Sequence, residues 1–327
     1  MRQISFLALA LLVSLGGCDT GGPSYEEQVV VSSLLEVGRP LRSVYLTRTV
    51  EFGQPVDPAD VLVENATVTV TLLAEDGSAD EVYTYLYDTE DFRYRPTTRT
   101  EVLPERRYRF SAEVPGRPTI TAETVTPRDI RLVQPPPTSI DYNEGMGPTF
   151  QVSSGGVQEE QGVYVITFSA LAPDDFVVEQ RPDGSYGYAR ALEPGRFGPT
   201  PEYAAVIDRI NCEPRGSGDR FACDFEPLDF AKGSSPLINE ESYVILPDGS
   251  VEVSVPWLAV GFYGPYQFEI SALDAPLVDF ISTQAVQFSP TTLSPGEIPN
   301  ISTNVTNGLG VFGSYAKVVT STTITGD

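Results

Sequence analysis

Apolar and polar residues alternate with a period of two along much of this sequence. In Ala66-Thr67-Val68-Thr69-Val70-Thr71-Leu72 the apolar Val68, Val70 and Leu72 share one side and three threonines the other. A strand sends successive side chains to opposite faces, so such a run buries one face and leaves the other in water. The rhythm returns in Tyr108 to Val114, Val251 to Val255 and Tyr266 to Ile270. It also returns in Val44 to Phe52, where Val44, Leu46, Val50 and Phe52 fall together and Arg48 is the exception. Asp76-Gly77, Pro115-Gly116, Asp183-Gly184 and Asp248-Gly249 stand between such runs as turn signals. The expected class is all-β.

One segment breaks the rhythm. From Asp274 to Phe288 the residues Leu277, Phe280, Ile281, Gln284 and Phe288 recur at spacings of three and four, which predicts a short helix. Asp274 is placed to cap its first turn, and Pro276 sits where a missing backbone donor costs nothing. Pro201 to Ile210 fits neither period clearly. The run Gln134-Pro135-Pro136-Pro137-Thr138 favours a stiff, extended connection and is expected to be a linker. It divides the chain into residues 25–133, about seven short strands and the size of an immunoglobulin-like β-sandwich, and residues 139–327, a second, mainly β domain with the short helix.

The amino terminus speaks to location. Met1-Arg2-Gln3 precedes an apolar run, Ile4 to Val13, of the length of a signal h-region and too short to cross a bilayer comfortably. Behind it stands Leu15-Gly16-Gly17-Cys18, which resembles the lipobox of bacterial lipoproteins. In a lipobox, small residues precede a cysteine that is lipidated and becomes the first residue once the peptide is cut, here between Gly17 and Cys18. The alternatives are an ordinary signal peptide with an incidental cysteine and an uncleaved anchor helix; the placement behind the h-region favours lipidation. Each buried methylene of an acyl chain contributes about 0.8 kcal/mol, so two or three chains on Cys18 would moor the protein almost permanently. Asp19 to Ser24 would then be a flexible tether.

Charge and residue choice exclude several functions. The 45 Asp and Glu outnumber the 21 Lys and Arg, for a net charge of -24, which opposes nucleic acid as a partner. The 327 residues include no histidine, removing the commonest general base and the usual partner of a nucleophilic serine or cysteine. No catalytic, metal-binding or cofactor motif stands out, and no enzyme activity or cofactor is expected. Besides Cys18 only Cys212 and Cys223 remain. In an exported chain a disulfide is expected, the intervening Pro and Gly allowing a hairpin, with two free buried thiols the alternative. Closing so short a loop stabilises by about 3 kcal/mol.

Two patterns invite a functional reading beside a plainer one. Glu90-Asp91, Glu159-Glu160 and Asp174-Asp175 are acidic pairs without the regular ligand spacing of a calcium loop, and a solvated acidic face explains them better. Tyr83, Tyr85 and Tyr87 alternate on one strand face, which would suit sugar stacking or a protein partner but equally the half-buried side of a sheet.

The order of features carries a family likeness: the lipobox, Val29-Val30-Val31, Tyr45-Leu46-Thr47-Arg48-Thr49, Val63 to Val70, Tyr108-Arg109-Phe110 leading to Ala122 to Pro127, and finally Asn307-Gly308-Leu309-Gly310-Val311-Phe312-Gly313. Together these resemble an outer-membrane lipoprotein family of Bacteroidota, catalogued as domain of unknown function 4249 and commonly encoded beside TonB-dependent receptors. The glycine signature at 307–313 is the most specific piece. Asn300-Ile301 before Ser302 departs from the Ser-Asn pair more usual there. The resemblance implies an outer-membrane lipoprotein accompanying a nutrient receptor. On its residues alone, the 307–313 segment reads as a docking or ligand-cradling loop or, with more weight, as a bulged turn seating a last strand, Ala316 to Ile324. The expected function is therefore a lipid-anchored binding or assembly protein whose partners are the membrane, through Cys18, and a TonB-dependent receptor. A surface hydrolase using paired carboxylates and a purely structural envelope protein are the rivals.

Overall fold

The structure is a computed structural model and describes residues 25–51, 53–145, 147–156, 162–191, 193–215, 221–288 and 301–326. It is mainly β, with 47% of the chain in strands and 11% in helices. In chain order the first strands are β1 (Val29–Glu36), β2 (Tyr45–Arg48), β3 (Thr67–Leu73), β4 (Ala79–Asp88), β5 (Arg93–Pro96), β6 (Arg107–Glu113) and β7 (Ile120–Val125). There follow β8 (Ser139–Asp141), β9 (Thr149–Val152), β10 (Val163–Ala170), β11 (Asp175–Gln180), β12 (Tyr186–Ala191), α1 (Pro201–Ile207), β13 (Cys212–Pro214) and β14 (Phe221–Cys223). The last are β15 (Lys232–Ser234), β16 (Val244–Ile245), β17 (Val251–Ser254), β18 (Gly264–Leu273), α2 (Ala275–Phe288) and β19 (Leu309–Thr325).

The alternating runs bury the faces expected of them. On β3, Val68, Val70 and Leu72 lie in the core, and on β17 so do Val251 and Val253. The run from Val44 is shorter than its pattern: pairing stops at Arg48 and Val50 is exposed. At the Asp76, Asp183 and Asp248 turns the next residue is a glycine of positive φ. There the aspartate Oδ1 accepts from both the backbone and the hydroxyl of the serine that follows (Ser78, Ser185, Ser250). Those bonds favour the charged form and hold the three carboxyls below the ordinary aspartate value.

The sheets show how the halves are joined. β5-β4-β3-β6-β7 form one antiparallel sheet; β15-β10-β18-β19-β1-β2 form another, with β8 added beside β19. The first core packs the inner face of the five-stranded sheet (Val70, Tyr85, Phe110, Ile120) against Val31 and Leu35 of β1, Leu46 of β2 and Phe312 of β19. The second core packs the sheet β16-β17-β9 (Phe150, Val253) against Ile166, Phe268 and Ile270 of β10 and β18 and the far half of β19. A small third cluster, Ile207, Ile210 and Cys212, sits under the sheet β11-β12-β13-β14.

β19 is the common member. Over 17 residues its first half pairs in parallel with β1, from Leu309 opposite Val30 to Tyr315 opposite Glu36, and it pairs antiparallel with β18 from Tyr315 to Ile324. The strands of residues 25–133 are therefore completed by a strand from the far end of the chain. The proline run is not free either, because Thr322 Oγ1 donates to Pro137 O at 2.7 Å and Thr323 N to Thr138 O at 3.1 Å. The helix read from Asp274 onward is α2, and α1 resolves the ambiguous stretch after Pro201.

Candidate functional site

The glycine signature sits where β19 begins. Asn307, at φ 61°, turns the chain, and its side chain donates to Thr119 O at 2.8 Å. Asn304 clips the strand start by accepting from Phe312 N at 3.1 Å and donating to Phe312 O at 2.8 Å. Gly310, at φ 100°, passes so close to β1 that a Cβ there would stand 2.0 Å from Val31 O. Val311, Phe312 and Gly313 are buried, Phe312 with its ring centroid 5.7 Å from that of Phe110. Of the residues Asn307, Gly308, Leu309, Gly310, Val311, Phe312 and Gly313, the first two thus lie in the turn before β19 and the rest are its opening residues, paired with β1. Gly310 lets backbone meet backbone, and Val311 and Phe312 fill the protein's own core while Leu309 stays exposed.

Just beyond lies a buried polar joint. Asp274, 1% exposed, ends β18 and caps α2, accepting from Leu277 N at 2.9 Å on Oδ1. Its Oδ2 accepts from Ser314 Oγ of β19 at 2.8 Å and from Thr124 Oγ1 of β7. The two hydroxyls lie 3.0 Å apart, and Asp274 N donates to Ser314 O at 3.0 Å. One carboxylate thereby ties together the five-stranded sheet, the shared strand and the helix. Burial pushes its pKa up to about 6 against the opposing pull of these hydrogen bonds. With every oxygen engaged inside the protein, the group holds structure together and faces no substrate.

The open site is elsewhere, where β1, the β1–β2 connection and β5 meet. It is a cleft of 780 Å³ whose lining includes Arg42, Arg93, Arg95 and Arg99 and no acidic residue. The balancing carboxylates stand behind it. Glu36, itself buried, accepts from Arg42 and from Tyr315 OH at 2.9 Å; Asp88 meets Arg95 Nε at 2.7 Å; Asp91 lies 3.3 Å from Arg93 Nη2 and also contacts Arg95. Arg42 rests over the Tyr315 ring at 5.7 Å and Arg93 over the Tyr45 ring at 5.5 Å, stacking that orients both guanidiniums. Arg99 is exposed and has no ion-pair partner among the described residues. The hydroxyl of Ser33 and the Nε of Arg93 are buried and make no hydrogen bond within the described residues. Sequence reasoning missed this cleft; the available signal was Arg93-Tyr94-Arg95-Pro96-Thr97-Thr98-Arg99, three arginines within seven residues of a strongly acidic chain.

A family model described as "Domain of unknown function (DUF4249)" matches residues 19–321. The chain belongs to the DUF4249 family. The DUF4249 region reaches from before the first described residue to well inside β19, so it takes in the cleft, the first core and all of the second but Ile324. Among curated proteins, none matches this sequence. Two crystal structures of Salmonella alpha-2-macroglobulin are similar in part, one reacted with methylamine and one of a point mutant, at 11% and 10% identity. The similarity covers 92% and 93% of this chain and 15% of each macroglobulin chain, with a TM-score of 0.22 in both. The DUF4249 chain thus spans about 15% of the length of those structures.

The other sequence-predicted residues of this DUF4249 protein fall as follows. Gly17 and Cys18 lie outside the described residues, as do Glu159 and Glu160. Cys212 and Cys223 form a disulfide between directly opposed positions of β13 and β14, with Cα atoms 4.1 Å apart. Tyr83 and Tyr85 point into the first core and Tyr87 packs at its edge, its ring centroid 5.2 Å from that of Tyr94. In the remaining acidic pairs Asp91 is tied to arginines as above, Asp174 to Arg190, and Asp175 to Arg196 at 3.0 Å. Among the described residues no helix is long and apolar enough to cross a membrane.

Proposed function

We propose that this chain is a lipid-anchored outer-membrane protein that binds or assembles with a partner, acting as an accessory to a TonB-dependent nutrient receptor rather than as an enzyme. The observation that carries the reading is Leu15-Gly16-Gly17-Cys18 behind an apolar signal run. An acylated Cys18 supplies membrane attachment by itself, so the folded portion needs no membrane-binding surface of its own. The absence of histidine from the sequence supports binding over catalysis, since it removes the most common route to general-base or nucleophilic chemistry. The receptor partner rests on the family resemblance.

The test is purification of the tagged chain from its own outer membranes in mild detergent, with quantification of receptor in the eluate. A TonB-dependent receptor in near-stoichiometric amount is expected, and its recovery should collapse for Cys18→Ser. Recovery of the wild-type chain from the membrane with no receptor beside it would overturn the accessory role.

A further inference from the structure

The arginine cleft beside β5 has the chemistry of a ligand site, and we infer that it binds an acidic oligosaccharide through the oxyanion groups on its sugars. Four arginines line one opening while no carboxylate does, in a chain whose net charge is -24. Glu36, Asp88 and Asp91 offset three of these charges, and Arg99, without an ion pair among the described residues, leaves the opening net positive, which favours anions here over the acidic remainder of the surface. The ion pairs behind the cleft fix the guanidiniums, and because each has five N–H donors, further ones stay free to meet a carboxylate or sulfate side-on.

The shape and the remaining lining select the kind of anion. A cleft of 780 Å³ lies within the range of about 300–1,000 Å³ that holds organic ligands, and a lone phosphate or sulfate would leave most of it empty. An acidic peptide would gain most by adding a strand to β5. That edge is already taken, because Tyr94 exchanges both backbone hydrogen bonds with Val44, at 2.9 and 2.8 Å, and Pro96 has no N–H to offer. What the cleft does present is hydroxyl groups, from Ser32, Ser43, Thr97 and Thr98, suited to a ligand rich in hydroxyls of its own.

This inference goes beyond the accessory role and needs neither lipid nor receptor, so the two can fail separately. The experiment is calorimetric titration of the full chain in detergent with four probes: an oligogalacturonate tetrasaccharide, a sulfated heparin tetrasaccharide, neutral maltotetraose and tetraglutamate. Binding of one or both acidic sugars is expected, weakening as sodium chloride is raised, with the two arms deciding between carboxylate and sulfate; maltotetraose should not bind. Arg93→Gln with Arg99→Gln should lower affinity at least about tenfold, whereas Arg109→Gln, on β6 away from the cleft, should leave it unchanged. Thermal melts of each variant establish that it is folded, and Arg99→Gln alone, at an exposed position, provides a milder version of the same test. No binding of either acidic sugar by the folded wild-type chain would overturn the inference, as would equal loss in the Arg109 control or tetraglutamate binding as tightly as the sugars.

Discussion

Replacing Asp274 with asparagine should remove a pH dependence that this one carboxyl imposes on stability. Asparagine can keep the cap, its carbonyl accepting from Leu277 N, while its NH2 takes the place of Oδ2 and donates to the hydroxyls of Ser314 and Thr124, which can accept as well as donate. The geometry is conserved and the titration is not. Burial raises the aspartate from 3.8 in the unfolded chain to about 6 in the folded one. A raised acid binds its proton more tightly when folded, so its contribution to stability is fully present below about pH 3.8 and is lost as pH rises through about 6. At about 1.36 kcal/mol per pKa unit the full swing is about 3 kcal/mol, of which about 2 falls between pH 4.5 and 7.5, a window clear of the most acid conditions. Urea unfolding of both proteins across that window gives the difference in stability directly, and carboxyls common to both, such as Asp76, cancel. The Asp274→Asn variant should gain on the wild type by about 2 kcal/mol from the acid end of the window to the other. A difference that stays flat, or that moves the other way, would refute the claim that a buried, protonatable carboxyl joins the two cores.

Three further outcomes follow from the packing. Phe312→Ala empties a fully buried site against Phe110 and should cost about 3–5 kcal/mol in urea unfolding. Gly310→Ala combines a positive φ with a clash against Val31 O and should destabilise by about 2 kcal/mol or more, read as a lower Tm, whereas the same change at Gly77, where nothing lies within 4 Å, carries the φ strain alone. Breaking the Cys212–Cys223 bond by Cys212→Ser with Cys223→Ser should cost about 3 kcal/mol. Hydrogen exchange should show the loss in β12 to β14, with β18 and β19 still protected.

Much of the local structure was legible because local rules decide it. A strand such as Thr67–Leu73 announces its buried face through period two, and the Asp-Gly turns announce themselves through the need for positive φ. Asp274 was readable as a helix cap because capping depends on residues three apart. What period two does not encode is the partner: nothing within Val29–Glu36 says that its neighbour is the strand opening at Leu309. For that reason the glycine signature left both a docking loop and a bulged turn open, and 25–133 could be read as a sandwich without the strand that completes it. The arginine cleft was hidden for the same reason, since Arg42 and Arg93 meet only once Val44 has paired with Tyr94. Asp274 gave no hint of burial either, because Thr124 and Ser314 reach it from strands far apart in sequence.

The proposal of a moored envelope protein is tested most directly by the intact mass of the mature chain extracted from bacterial membranes. The account predicts a polypeptide beginning at Cys18 and heavier than its sequence by two or three acyl chains, with the extra mass retained on the first residue after proteolysis. A chain free of fatty acid, or one still beginning at Met1, would contradict it.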